Sequence, residues 1–378
     1  MTMRRALVLV LLLAASPVLA ALASDPWKQA SRDYAVRLPA DHVSHPAYRI
    51  EWWYYTGNLE TDRGRRFGYQ ITFFRIGIDP SPANPSKWSV RDLLMAHIAV
   101  TDAAGGRHLF AERVSRAGVG WAGASQRDLH VWNEDWEVRL EFGRHRLQAR
   151  DPRFAIDLVA SEDRRPVLHG QDGFSQKGSS VGNATHYYSL TRMPTEGFVT
   201  LDGERFAVKG DSWMDHEFGT SFLESNQQGW DWFSIQLADG ADLMMFQLRR
   251  ADGSLDPQSS GTLVRPGQPN RRLVANDFAL TPGRIWTSPV SGARYPVEWR
   301  VSVPDQGLDL RVRPVVDAQE LTGARSGVSY WEGAIEVEGM RAGQPLTGRG
   351  YLEMTGYSGR ALGELLNPPP SATPRKAP

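Results

Sequence analysis

Phe67-Gly68-Tyr69-Gln70-Ile71-Thr72-Phe73-Phe74-Arg75-Ile76 places a large apolar side chain at nearly every second position. A period of two gathers those side chains on one face of an extended strand, whereas a helix would scatter them. Residues 93–101, 136–142, 154–160, 232–237, 243–249, 297–303 and 308–312 form similar runs of strand length. Turn signals lie between them: Asp62-Arg63-Gly64, Ala104-Gly105-Gly106, Asp202-Gly203, Asp239-Gly240 and Asp252-Gly253. Past the first residues, no segment carries a capped 3.6-residue apolar stripe. The expected fold is all-β, in two sandwiches or barrels.

A weak internal repeat agrees with two like domains. Residues 53–75 read as an aromatic strand, an Asp-x-Gly turn and a strand with Gln70 and Arg75; residues 232–249 repeat this with Asp239-Gly240, Gln247 and Arg249. Chance likeness between two hairpins is the alternative. A boundary is expected near Met193-Pro194-Thr195-Glu196-Gly197, giving domains over 24–196 and 197–362. Residues 363–378 end in a Pro-rich tail with the composition of disorder. Residues 1–23 read as a secretory signal: Arg4-Arg5, an apolar run over 6–15, and Ala21-Leu22-Ala23 as the cleavage site. An uncleaved anchor is the alternative. Export to the periplasm or beyond is the expected location.

The chain has 378 residues and no Cys. That excludes disulfides, Cys-ligated metals and a thiol nucleophile. Basic and acidic residues balance at 43 each. Loss of Arg4 and Arg5 with the signal leaves a charge near −2. No global field therefore draws in nucleic acid.

Two familiar patterns lack their structural context. Gly178-Ser179-Ser180-Val181-Gly182 fits G-x-S-x-G, but its flanks read as loop rather than as a strand and a helix. Gly118-Val119-Gly120-Trp121-Ala122-Gly123 fits G-x-G-x-x-G without a βαβ unit. His42 and His45 are three apart with no third ligand nearby in sequence, so no metal site is expected.

Acids set among aromatic rings are more informative. They occur in Glu51-Trp52-Trp53-Tyr54-Tyr55, Trp213-Met214-Asp215-His216-Glu217-Phe218, Trp230-Asp231-Trp232-Phe233 and Tyr330-Trp331-Glu332-Gly333. Aromatic surroundings desolvate a carboxyl group and keep it protonated, as a general acid must be. Indole faces can hold a passing cation. In an extended strand Trp213, Asp215 and Glu217 share one face, and so do Trp230, Trp232, Ser234 and Gln236. The bland alternative for each acid is a turn cap or a partner for one of the many Arg residues.

The Glu51–Gly57 stretch (EWWYYTG) resembles the opening motif of the hydroxyneurosporene synthase (carotenoid 1,2-hydratase) family, and more closely its secreted AttH-like branch, also labelled predicted secreted hydrolases. Further matching stretches are ATHYYS from Ala184, SWMDHEFGTS from Ser212, GWDWF from Gly229, DAQE from Asp317, YWEG from Tyr330 and GYLEMTGY from Gly350. The resemblance runs from about residue 35 to 357. It implies two tandem lipocalin-like β-barrel domains with a pocket near their junction, and cofactor-free chemistry on apolar substrates. The leading expectation is a carotenoid 1,2-hydratase-like reaction on an isoprenoid or lipid. Asp215, or else Glu51, protonates an alkene carbon; Trp53, Trp213 or Trp232 holds the cation; His216 or Gln236 guides water. Tyr55, Gln70, His97, Glu217 and Trp230 complete the expected lining. An exported carrier of an apolar ligand, served by an inner-membrane transporter, is the second reading. A secreted hydrolase is the third.

Overall fold

The computed structural model describes residues 25–180 and 182–358. The expected signal and Pro-rich tail lie outside the described residues. The expectation of an all-β chain holds. Strands Ile50–Glu60, Arg66–Gly77, Asp92–Asp102 and Arg107–Arg116 form an antiparallel meander at one end of a 13-stranded sheet. Strands Gln227–Leu237, Asp242–Arg250, Ser260–Val264 and Arg271–Val274 do the same in a 10-stranded sheet. In each sheet the last long strand returns to pair with the first. Glu204–Gly219 lies beside Ile50–Glu60, and Gln344–Met354 beside Gln227–Leu237. The repeated hairpin seen in the sequence is thus the opening of each sheet.

Of the two barrels expected, one is nearly formed. The ends of the first sheet approach each other, where Asn133 Nδ2 donates to the Leu94 carbonyl at 3.1 Å and Ser115 Oγ donates to Asn133 Oδ1 at 2.8 Å. The second sheet is not closed. The expected boundary also shifts. Met193–Gly197 sits inside the strand Ala184–Leu201, and the chain changes sheet between Gly219 and Gln227.

Strand alternation creates three large apolar cores among the described residues. Trp53, Tyr55, Phe67, Tyr69, Ile71 and Phe73 fill the first barrel. Phe233, Ile235, Leu237 and Trp299 fill the cup of the second sheet. The opposite faces of both sheets pack together through Tyr54, Phe74, Trp213, Trp230, Trp232, Phe246, Tyr330 and Tyr351. This third core contains the candidate site.

Candidate active site between the sheets

Alternation decides which groups meet. On Glu204–Gly219, Asp215 and Glu217 point towards the second sheet and His216 points into the first barrel. On Ile50–Glu60, Trp52 and Tyr54 face the second sheet, while Glu51 and Trp53 face inward. Trp230 and Trp232 face the first sheet; Asp231 between them turns away to Arg249 at 3.1 Å.

These side chains enclose a cavity of about 50 Å³. Its walls include Trp52, Tyr54, Phe74, Tyr187, Phe222, Trp230, Trp232, Phe246 and Tyr330. Four carboxyl groups enter it, Asp215, Glu217, Glu332 and Glu353, with Lys177 as the one cation of the lining among the described residues. Asp215 accepts hydrogen bonds from Tyr187 Oη at 2.6 Å, Trp213 Nε1 at 2.6 Å and Ser189 Oγ. Burial nevertheless outweighs these donors and pushes Asp215 up to about 7. Trp232 Nε1 donates to Tyr187 Oη at 3.0 Å and so orients that phenol.

Glu353 accepts from Trp230 Nε1 at 3.1 Å and is raised to about 8, chiefly by burial. Glu332 accepts from Tyr54 Oη at 2.8 Å, and burial and then the charge of Glu353 hold it well above the carboxylate range. Its Oε2 has no hydrogen-bond partner among the described residues. Glu217 differs in having Lys177 Nζ at 2.8 Å, although burial still raises it. The segment between Gly219 and Gln227 covers the cavity with Phe222. Glu224 anchors that segment by accepting from Ser180 N at 2.8 Å and Ser179 Oγ at 3.0 Å. Ser179 and Ser180 therefore serve this loop contact, and the described elements on either side are the strands Phe174–Gln176 and Ala184–Leu201.

The structure gathers Asp215, Glu217, Trp213, Trp230 and Trp232 at this site. It does not bring Glu51, His216, Trp53 or Tyr55 there, because they point into the first barrel. Glu51 also reverses the expectation of a protonated acid. Although burial opposes its charge, hydrogen bonds from His216 and His45 and the Arg75 guanidinium at 3.0 Å hold it well below the usual range. Gln70 and His97 lie between the sheets but off the cavity. Gln70 donates to Thr72 Oγ1, and His97 Nδ1 meets Tyr330 Oη at 2.7 Å. Gln236 lines a separate open groove of about 460 Å³ whose walls mix Arg66, Arg192, Asp211 and Glu336 with Leu237 and Val337. Residue-by-residue reading overlooked Tyr187, Lys177 and Glu353. Glu353 alone left a signal, as an acid beside Tyr351-Leu352 and Met354 in strand register.

The family model for AttH-like proteins matches residues 29–357. The chain belongs to the AttH-like family. A crystal structure assigned to AttH from Nitrosomonas europaea superposes on this AttH-like chain with a TM-score of 0.80 and 35% identity, covering 88% of this chain and 99% of the other. Kievitone hydratase from Nectria haematococca shares the fold, with a TM-score of 0.67, 17% identity, and 87% and 96% coverage. Dehydratase asqC from Emericella nidulans is 22% identical over 218 residues, 55% of this chain. The match spans 60% of the length of that relative.

Proposed function

We propose that this AttH-like protein is a hydro-lyase that adds water across a double bond of an apolar substrate, or removes it, with Asp215 as the proton donor. One observation carries the reading: an aromatic-walled space holds four buried carboxyl groups, three of them without a cationic partner among the described residues. Asp215 transfers its proton to an alkene carbon, and the electron-poor carbon that results lies against Trp230, Trp232 and Tyr54. Water attacks that carbon and returns one proton to the Asp215 carboxylate. The net change is the addition of H₂O, and the reverse order gives dehydration. Tyr187, Trp213 and Ser189 orient the carboxyl group. The relatives named as a hydratase and a dehydratase support the reaction class.

The substrate fitting this chemistry is one that forms a stabilised tertiary cation, as branched isoprenoids do. A cavity of about 50 Å³ admits water but not such a chain, so entry requires the Phe222 segment to move. The leader-like residues 1–23 support action outside the cytoplasm. A pure carrier has no use for four buried carboxyl groups, whose desolvation costs stability.

The test uses acyclic isoprenoid alkenes and the matching tertiary alcohols in ¹⁸O-labelled water, read by mass spectrometry. The wild type should exchange label, and Asp215→Asn should lower the rate by at least about 100-fold. Full activity in Asp215→Asn would remove the acid assignment. Ligand binding without any exchange would favour the carrier.

A further inference from the structure

The N-terminal segment plugs the first barrel with His42, which is fully buried. His145, at the start of strand Arg144–Arg150, is also fully buried, and the two rings meet edge-on at 5.5 Å. Each imidazole commits Nδ1 to a tyrosine hydroxyl: His42 to Tyr188 at 2.7 Å and His145 to Tyr55 at 2.8 Å. Both therefore direct Nε2 to the same place, one oxygen of Glu162. That oxygen lies 3.2 Å from His42 Nε2 and 2.5 Å from His145 Nε2. The contact to His42 is an ion-pair distance rather than a hydrogen bond, and His42 Nε2 has no hydrogen-bond partner among the described residues. A buried ring nitrogen with no bond, aimed at a shared carboxylate, is an incomplete arrangement for hydrogen bonding.

It is a good arrangement for a cation. Ligating histidines usually bind through one nitrogen while a second group fixes the other, as the two tyrosines do here. In a tetrahedral zinc site, ligand atoms stand about 3.3 Å apart. The His42–Glu162 distance already matches this. Glu162 follows the strand Phe154–Ser161 and is partly exposed, so it is free to back away from His145.

We infer that His42 Nε2, His145 Nε2 and Glu162 form a binding site for a divalent transition metal of the zinc class, with a fourth position open to water. Its ligands come from three separate segments, so the ion clips the N-terminal plug to the barrel wall. None of the three lines the cavity between the sheets, and the inference is independent of the hydro-lyase reading.

The other cluster of this kind among the described residues, His45, Glu51 and His216, is not a rival. Glu51 Oε1 already accepts from His45 and His216, and Oε2 from Ser44, the His45 amide and Arg75. The guanidinium and the filled lone pairs leave no place for a cation.

Tag-free, chelator-stripped full-length protein, titrated with Zn²⁺ and separately with Co²⁺, provides the test. We expect one equivalent bound, a visible Co²⁺ ligand-field spectrum and a rise in melting temperature with Zn²⁺. His145→Gln and Glu162→Gln should weaken binding by at least about 100-fold, and Tyr188→Phe by about 10-fold to 100-fold. Glu162→Gln, partly exposed, should melt like the wild type in chelator, separating lost binding from lost folding. His45→Gln should bind normally. Absence of stoichiometric binding, binding unchanged in Glu162→Gln, or loss in His45→Gln instead would overturn the assignment.

Discussion

Asp215 and Glu51 are both buried acids on the shared wall of the two sheets, yet their neighbours send them in opposite directions. Asp215, raised from 3.8 to about 7, binds its proton more tightly when folded. Its stabilising effect is full below the unfolded value and is lost as pH rises through about 7. By pH 9 the buried carboxylate costs on the order of 4 kcal/mol. Glu51 is depressed, so its contribution is present above its unfolded value and lost as pH falls. Asp215→Asn should therefore gain stability relative to wild type on going from pH 5 to pH 9. Glu51→Gln should lose up to about 3–5 kcal/mol at pH 7, since Arg75 and His45 lose their fully buried anion and keep only the less buried Asp92 and Asp41. Urea unfolding at both pH values measures each change. Equal and pH-independent effects of the two substitutions would defeat this account. The rate of the proposed hydration should also fall as pH rises through about 7, because Asp215 then lacks the proton it would donate.

The strand Arg66–Gly77 shows how much was legible and where legibility stopped. Its alternation gave the strand and its apolar face, because Phe67, Tyr69, Ile71 and Phe73 obey a period of two. Gly68, Gln70 and Thr72 occupy the other positions of that alternation, of which only Gln70 is expected to line a cavity. They are buried too, since the second sheet packs on them, and no local pattern records a partner more than 200 residues away. The same limit applies to the acids. Parity placed Asp215 and Glu217 together, and put Trp230 with Trp232, but Tyr187, Glu332 and Glu353 reach the site from other strands. Parity alone could also have separated Glu51 from Tyr54; the aromatic composition around Glu51 masked that its charge partner was Arg75. Gly68 tests the element-scale reading. A Cβ there would sit 2.7 Å from Ala334 Cβ and 2.7 Å from Tyr351 Oη. Gly68→Ala should force the sheets apart locally and cost about 1–3 kcal/mol in urea unfolding. A neutral substitution would show that the sheets do not touch there.

At the scale of the molecule, the two sheets cannot be folded one at a time without exposing what each hides on the other. The first would bare Trp52, Tyr54, Phe74 and Trp213, the second Trp230, Trp232, Phe246 and Tyr330. The polar links across the interface add to this. Asp242 in the second sheet is fully buried and is satisfied by the first, through Arg192 Nη2 at 2.7 Å, Thr191 Oγ1 at 2.8 Å and Arg164 Nη1 at 3.0 Å. Tyr54 meets Glu332 at 2.8 Å, His97 meets Tyr330 at 2.7 Å, and Thr101 meets Gln319 at 2.7 Å. Two lobes joined by a small polar interface usually unfold separately. A large apolar interface with buried cross-links couples them. Thermal or urea unfolding should therefore follow one transition, coincident in tryptophan fluorescence and far-UV circular dichroism. Tryptophans lie in all three cores and the dichroism reports on both sheets, so two-step or separated transitions would mean that one sheet stands alone. Coupling of this kind also bears on the cavity. Its walls come from both sheets, so a substrate that opens the Phe222 segment meets carboxyl groups held by the fold as a whole, and a ligand bound there should raise the single midpoint rather than split it.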